Sequence, residues 1–198
     1  MRRFLFFGAV LGLLVPSFAF ANTNLVVNGG FETGDFTGWT QFGNTGFTGV
    51  TGNFEGVSPE EGIYQAYFGG VGSTGGISQT LTSSSANYTV SFWLYNFGGT
   101  PSSATVSLGL GPTLLSLPNP PAFGYTEHTF TNVNAGADPV LTFTFRQDPS
   151  YFLLDNVSVV ASTTTPEPGF YWLLALGLSG LAVVGRRRKA CNSAGCRG

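Results

Sequence analysis

The stretch YTVSFWLYNF at residues 88–97 alternates apolar and other side chains with a period of two. Because successive side chains of a β-strand point to opposite faces, Val90, Phe92 and Leu94 form one apolar face. The opposite face carries one serine and three aromatic residues, namely Ser91, Trp93, Tyr95 and Phe97. The stretch therefore predicts a strand with one buried face and one face of aromatic rings.

The same period predicts a second strand at residues 140–147, VLTFTFRQ. Its core-facing residues would be Leu141, Phe143 and Phe145, and its outward residues Thr142, Thr144 and Arg146. Six more candidate strands, separated by Gly, Pro, Asn and Ser, lie at 24–27, 63–70, 77–82, 104–110, 125–133 and 151–160. With 29 Gly and 19 Phe in the chain, this spacing predicts an all-β fold, a two-sheet antiparallel sandwich or jelly roll over residues 22–160.

The N-terminus, residues 1–21, has the pattern of a signal peptide. Arg2 and Arg3 precede an uncharged apolar stretch from Phe4 to Val15, and Ala19-Phe20-Ala21 gives the small residues of a cleavage site. We expect a signal helix that signal peptidase removes after Ala21. An uncleaved anchor is the alternative, but a twelve-residue helix at about 1.5 Å per residue is too short for a roughly 30 Å hydrocarbon core.

The C-terminus divides into three parts. Residues 161–168 are a Ser, Thr and Pro linker, 169–185 an apolar stretch, and 186–198 a basic tail. The apolar stretch predicts a transmembrane helix, with Tyr171 and Trp172 at one interface, and the positive-inside rule places the basic tail in the cytoplasm. A buried core helix is the alternative, but four consecutive cations beside it are poorly suited to a core.

The charge of the predicted sandwich is strongly negative. Between Asn22 and Thr165 the only basic residue is Arg146, against nine carboxylates, which gives a net charge of −8. Such a domain cannot neutralise a phosphate backbone, which excludes nucleic acid as a partner. Both cysteines, Cys191 and Cys196, lie in the basic tail, so the sandwich has no disulfide and no thiolate site.

The C-terminal features occur in a fixed order: Pro166-Glu167-Pro168, the apolar stretch, then Arg186, Arg187, Arg188 and Lys189. This order resembles the PEP-CTERM sorting signal, also catalogued as an ice-binding-protein C-terminal domain. The resemblance implies an exported protein of a Gram-negative bacterium that makes extracellular polysaccharide. It implies anchoring in the inner membrane, recognition of the motif by an exosortase, and then a location at the cell surface or outside the cell. Nine residues follow the basic cluster, whereas the family usually ends soon after it, so cleaved signal and retained anchor both stay open.

Four sequences in the predicted sandwich carry a second resemblance: NLVVNGGFETGDFTGWT, ISQTLT, NYTVSFW and FLLDNVSVV. They are similar to carbohydrate-binding-module jelly rolls of the galactose-binding-like type. That resemblance implies a structural Ca²⁺ between the two ends of the domain, held by Glu32 and Asp155 with backbone carbonyls near Asn28. Calcium takes about six to eight oxygen ligands. Without a metal, Glu32 would be solvated and Asp155 would cap a turn.

The outward aromatic residues Trp93 and Tyr95, together with Arg146, are the predicted ligand-binding residues. Aromatic rings stack on the apolar faces of sugars, and a guanidinium donates several hydrogen bonds in one plane to hydroxyl groups. Extracellular polysaccharide is therefore the expected ligand. In the alternative interpretation, Trp93 and Tyr95 pack under a loop and Arg146 pairs with a carboxylate.

The sequence predicts no catalytic residue. A glycosidase needs two carboxyl groups roughly 5 to 10 Å apart in one cleft, and the adjacent Glu60 and Glu61 would point to opposite faces if extended. His128 is the only histidine, and its strand context favours a structural role. We therefore expect a non-catalytic envelope or matrix protein, with a purely structural or adhesive surface protein and a small glycoside hydrolase as alternatives.

Overall fold

The computed structural model describes residues 23–162, except Ser84 and Pro112. The predicted signal peptide, the transmembrane helix and the basic tail lie outside these residues. So do the sorting residues Pro166, Glu167, Pro168, Arg186, Arg187, Arg188 and Lys189. Within the part of the chain that the structure describes, no helix is long and apolar enough to cross a membrane.

Ten strands form the fold within the described residues. They are β1 Thr40–Gly43, β2 Thr48–Thr51, β3 Gln65–Phe68, β4 Gly75–Thr80, β5 Asn87–Asn96, β6 Ser102–Leu108, β7 Thr113–Pro118, β8 Phe123–Asn134, β9 Val140–Gln147 and β10 Phe152–Ala161. Sheet I has the order β1-β4-β9-β6-β7, and sheet II has the order β2-β3-β10-β5-β8. All neighbouring strands are antiparallel, so the predicted all-β, two-sheet antiparallel sandwich is confirmed.

The core lies between the two sheets and is rich in aromatic rings. Val90, Phe92 and Leu94 are fully buried in β5, and β9 buries the alternate residues that its sequence predicts. Phe92 of sheet II meets Phe143 of sheet I edge to face, with ring centroids 5.1 Å apart. Burial of one face of each sheet against the other is the main stabilising contribution.

The first part of the chain is attached to the last strand without forming a strand itself. The predicted strand at 24–27 is wrong: only Asn24 forms a bridge, to Val160. The Asn24 side chain accepts the backbone N–H of Val26 and of Val159. Leu25 donates its backbone N–H to the Val159 carbonyl at 2.8 Å, so side-chain and backbone bonds together attach the segment. Val157 then donates to the carbonyl of Gly29, and a Cβ on Gly29 would lie 2.1 Å from the Val157 carbonyl oxygen. The two ends of the domain therefore touch.

Candidate functional site

The outer face of sheet II carries two cross-strand rows of side chains. One row joins Tyr67, Leu153 and Tyr95 on β3, β10 and β5. The next row joins Asp155, Trp93 and Glu127 on β10, β5 and β8. Directly opposite residues on one face have Cβ atoms about 4.5 to 5.5 Å apart, so each row is a line of neighbouring side chains. Trp93 and Tyr95 therefore lie on this face, as the alternation predicts.

The segment 52–61 folds over one half of this face. Its Phe54 ring stacks on Tyr67 with centroids 4.6 Å apart and meets the edge of Tyr151 at the same distance. Phe54 and Val57 exchange two backbone hydrogen bonds, which close the segment on itself. Gln65 lies fully buried beneath and donates from its Nε2 to the carbonyls of Gly52 and Val57. This half of the face is thus covered by the protein itself.

Tyr125 lies at the boundary of the covered half, although no motif in its strand singles it out. Its hydroxyl donates to Oε1 of Gln65, and its ring lies 5.6 Å from that of Tyr95. Burial, together with the negative charges of Asp155 and Glu60, raises the pKa of Tyr125. Alternation in YTEHTFTNV places Tyr125, Glu127 and Thr129 on one face, but only the pairing of β8 with β5 places that face beside Trp93.

Trp93 lies in the open half of the outer face. Its side chain is partly buried, and among the described aromatic residues none stacks on its ring. Glu127, directly opposite on β8, is exposed and accepts a hydrogen bond of 3.3 Å from the Thr129 hydroxyl. The predicted alternative, in which the aromatic rings pack under a loop, therefore describes Tyr67 and its neighbours better than Trp93.

Asp155, on the other side of Trp93, is fully buried and holds the start of the segment 60–64. Its Oδ2 accepts the backbone N–H of Glu60 at 2.9 Å and of Glu61 at 3.2 Å. Its Oδ1 accepts the N–H of Asn156 at 2.7 Å. Burial raises the pKa of Asp155 to about 6, and the charge of Glu60 acts in the same direction, while the three N–H bonds oppose the shift.

Glu32 holds the other end of the same segment. Its Oε1 accepts the backbone N–H of Ile63 at 2.9 Å and of Tyr64 at 3.0 Å. Gly62 between the two anchored ends has φ +72°, and a Cβ there would lie 2.2 Å from Glu32 Oε1. The positive φ is strained for a residue with a Cβ, and a Cβ here would also clash with the Glu32 carboxylate. Glycine is therefore favoured at this position. Glu32 and Asp155 therefore fix one loop from its two ends.

Glu60 and Glu61 do not form an extended pair that points to opposite faces. Both carboxylates reach the side-chain amide of Asn156, which donates to Glu61 at 2.9 Å and to Glu60 at 3.4 Å. The segment is held as a loop by the carboxylates beneath it, so the alternation of a strand does not apply. The two residues share a neutral donor.

The calcium predicted for Glu32 and Asp155 can be compared with this geometry. A depression of about 260 Å³ is lined by Glu32, Glu61 and Asn156, with Gly30 and Gly62. However, the oxygens of both predicted ligands already accept backbone N–H bonds. In residues 23–162, apart from the two undescribed positions, no group of three or more Asp, Glu, His or Cys could hold a metal. The oxygens of Glu32 and Asp155 are therefore engaged by backbone donors, and the Ca²⁺ implied by the resemblance stays a prediction.

Arg146 does not join Trp93 and Tyr95. It lies on β9 in sheet I, opposite Ser103 of β6. Its side chain is therefore on the outer face of sheet I, on the opposite side of the sandwich from Trp93. There its guanidinium makes an ion pair with Asp148, with Nη2 to Oδ2 at 2.9 Å and Nε to Oδ2 at 3.0 Å. Alternation correctly predicted that Arg146 faces outward, but it cannot show which sheet a strand joins. The alternative, pairing with a carboxylate, is the one observed.

His128 faces the core instead of the solvent. It lies opposite Phe92, and the two rings stack with centroids 5.3 Å apart. Its Nε2 is buried and has no hydrogen-bond partner in the described part of the chain. Burial lowers the pKa of His128, which favours the neutral ring. The sequence favours a surface or hydrogen-bonded strand histidine, whereas the ring packs against the core with an unpartnered Nε2 in the described residues.

Comparison with known proteins identifies the C-terminal segment. Residues 164–189 match the family model described as the PEP-CTERM protein-sorting motif. The chain carries a PEP-CTERM sorting motif. This motif indicates an exported protein, as predicted. The search of curated proteins found no significant match to this chain.

Solved structures are similar to the sandwich of this chain. TmCBM61, solved in complex with β-1,4-galactotriose, has a TM-score of 0.58 and 19% identity, over 71% of this chain and 99% of that one. The CBM22-1 xylan-binding domain of Xyn10C from Paenibacillus barcinonensis has a TM-score of 0.50 and 18% identity, over 74% and 99%. At these identities the likeness shows the fold alone, a two-sheet sandwich that these two carbohydrate-binding modules share.

Proposed function

We propose that the protein is exported and non-catalytic, and that its sandwich binds extracellular polysaccharide on the open half of the outer face of sheet II. The observation that carries the proposal is Trp93, a partly buried indole that no other described ring covers. The directly opposite residue Glu127 is exposed and supplies a carboxylate group on the same face. A flat ring with a few polar groups beside it is the composition that sugar recognition requires.

The architecture supports this assignment in a second way. Phe54 stacks on Tyr67 and meets the edge of Tyr151, so the covered half of the face is packed by the protein's own rings. The neighbouring row is partly buried at Trp93 and exposed at Glu127, and the core supports it from beneath. A binding surface held in place before the ligand arrives loses less conformational freedom on binding.

The arrangement gives little support to the hydrolase alternative. Glu60 and Glu61 share the amide of Asn156, Asp155 is buried beneath backbone donors, and His128 faces the core. A purely structural or adhesive role would leave the Trp93 surface unused. Polysaccharide binding and a structural role are therefore separated by one question, which is whether Trp93 contacts a sugar.

Affinity electrophoresis of the full-length protein in mild detergent tests the proposal. Gels are cast with neutral or amino-sugar polysaccharides, and the wild type is compared with Trp93→Ala. Phe42→Ala is the matched control, because Phe42 is an aromatic residue of β1 in sheet I. We expect retardation of the wild type and of the Phe42 variant, and its loss in Trp93→Ala. Equal retardation of both variants would remove Trp93 from the site.

The sorting motif completes the proposal. We infer that residues 169–185 first hold the chain in the inner membrane, with residues 186–198 on the cytoplasmic side. An exosortase-type enzyme then acts at the motif, and signal peptidase removes residues 1–21. The mass of the protein recovered from envelope and from medium tests this: loss of the residues beyond Pro168 is the expected result, and an intact C-terminus in both fractions would mean a retained anchor.

A further inference from the structure

We propose that the polysaccharide bound at Trp93 carries free amino groups, so that its recognised sugar is a positively charged amino sugar and not a uronic acid. This inference rests on the proposed function, because it names the ligand class of the same surface. It follows from the charges that surround the indole ring.

Trp93 has an acidic residue as its direct cross-strand neighbour on each side. Asp155 lies opposite it on β10 and Glu127 lies opposite it on β8. Glu60 and Glu61 follow at the edge, held against Asp155 by their backbone N–H groups. Asp155 is itself fully buried, so the accessible carboxylates around the ring are those of Glu127, Glu60 and Glu61.

No cation balances these carboxylates on this face. Arg146 is the only Lys or Arg between Asn22 and Thr165, and it lies in sheet I, in an ion pair with Asp148. His128, next to Glu127 in β8, points to the core. The open half of the outer face is thus an aromatic surface with a negative potential.

An aromatic ring beside carboxylates is complementary to an ammonium group. The face of an indole attracts a cation through its quadrupole, and a carboxylate forms a charge-assisted hydrogen bond with an ammonium. Because Trp93 and Glu127 are directly opposite, an amino group over the ring can reach the Glu127 carboxylate, while the apolar face of the sugar stacks on the indole. One aminohexose unit supplies both groups.

The same charges disfavour an acidic polysaccharide. A chain of uronic acids would bring its carboxylates against Glu127 and the Glu60–Glu61 segment, and like charges at an interface reduce affinity. The sandwich as a whole, with one cation against nine carboxylates, offers no long-range attraction to such a polymer. A neutral polysaccharide can stack on Trp93 and donate a hydroxyl hydrogen bond to Glu127, but it has no ammonium group to form the stronger charge-assisted bond there.

A matched pair of polymers tests the inference. A partially deacetylated β-1,4-N-acetylglucosamine polymer is compared with the same polymer after chemical re-acetylation, and with alginate as the acidic polymer. The binder is the full-length protein in mild detergent, and the readout is the dissociation constant from affinity electrophoresis. We expect the deacetylated polymer to bind about fivefold more tightly than the re-acetylated one, and alginate not to retard the protein.

Glu127→Gln is the specific variant, and Glu55→Gln is the charge-matched control. Glu55 is exposed and belongs to the segment over the covered half. Because both variants remove one negative charge, general attraction to a polycation falls equally in the two. Glu127→Gln should weaken binding of the deacetylated polymer about three- to fivefold more than Glu55→Gln does, and should leave binding of the re-acetylated polymer unchanged.

The outcomes separate the two proposals. Equal affinities for the two polymers, or equal effects of the two Gln variants, would overturn the amino-sugar assignment while a loss of binding in Trp93→Ala kept the proposed function. Absence of binding to every polysaccharide would overturn the proposed function itself. Tighter binding of poly-lysine than of the deacetylated polymer, lost in both Trp93→Ala and Glu127→Gln, would assign the surface to a basic polypeptide and overturn the inference.

Discussion

Replacement of Asp155 by Asn should have almost no effect on stability at pH 7 and a clear effect at pH 5. Burial raises the pKa of the Asp155 carboxyl from 3.8 to about 6 in the folded chain. Each unit is equivalent to about 1.4 kcal/mol, so the ionised carboxylate destabilises the fold at pH 7 by about 3 kcal/mol relative to its protonated form. Asn removes this destabilisation because it carries no charge. However, its NH₂ group then faces one of the three backbone N–H donors, and the unmade hydrogen bond costs about 1 to 3 kcal/mol.

The pH dependence follows from the sign of the shift. A carboxyl group whose folded pKa is raised binds its proton more tightly in the folded state, so acidification between pH 7 and pH 5 stabilises the fold. Integrated over that window, with the two pKa values of Asp155, the gain is about 1.3 kcal/mol. The Asn variant cannot make this gain. The difference in unfolding free energy between wild type and Asp155→Asn should therefore grow by about 1 kcal/mol as the pH falls.

Urea denaturation of the full-length protein in mild detergent with EDTA measures this difference at pH 7, 6 and 5. Glu55→Gln, which also removes one exposed negative charge, controls for the general effect of net charge. A loss of more than about 3 kcal/mol at pH 7 that shrinks on acidification would refute the reasoning. It would show that the Asp155 carboxylate is stabilised by its surroundings in the ionised form.

Two further predictions concern stability. The oxygens of Glu32 and Asp155 accept backbone N–H bonds, so we expect Ca²⁺ to leave the melting temperature of EDTA-treated, dialysed protein unchanged. If Ca²⁺ binds the folded protein, the melting temperature should rise with Ca²⁺ concentration by mass action. Such a rise would establish the ion that the sequence resemblance implies. Because burial lowers the pKa of His128 from 6.5, its contribution to stability is present above pH 6.5 and is lost as the pH falls. His128→Phe should remove this loss of stability on acidification, measured as the change in melting temperature between pH 7 and pH 5. If the variant and the wild type show the same change, His128 is solvated in the folded protein.

The sequence predicts the parts of the fold that burial alone controls. Alternation assigned the faces of β5 and β9 correctly, because one side of each strand must face the core. It missed β1 and β2, which are four residues each and have no fully buried position, and it missed β7, whose exposure does not alternate. These strands all lie at sheet edges or next to one, where the requirement for an apolar face is weakest.

The site was predicted only in part, because its contacts are distant in sequence. Trp93 and Tyr95 share a strand, so their common face could be read locally. Arg146 was assigned to them wrongly, because the sheet that β9 joins depends on its pairing with β4 and β6. Likewise, the bonds from Glu60 and Glu61 to Asp155 span about ninety-five residues, and no local pattern indicates them.

Affinity electrophoresis of wild type, Trp93→Ala and Phe42→Ala in gels that contain the partially deacetylated β-1,4-N-acetylglucosamine polymer tests the central claim most directly. Loss of a ring at the centre of a binding surface typically reduces the affinity at least fivefold. We expect this loss of affinity for Trp93→Ala, and we expect Phe42→Ala to be retarded as strongly as the wild type. Retardation of Trp93→Ala equal to that of the wild type would contradict the central claim.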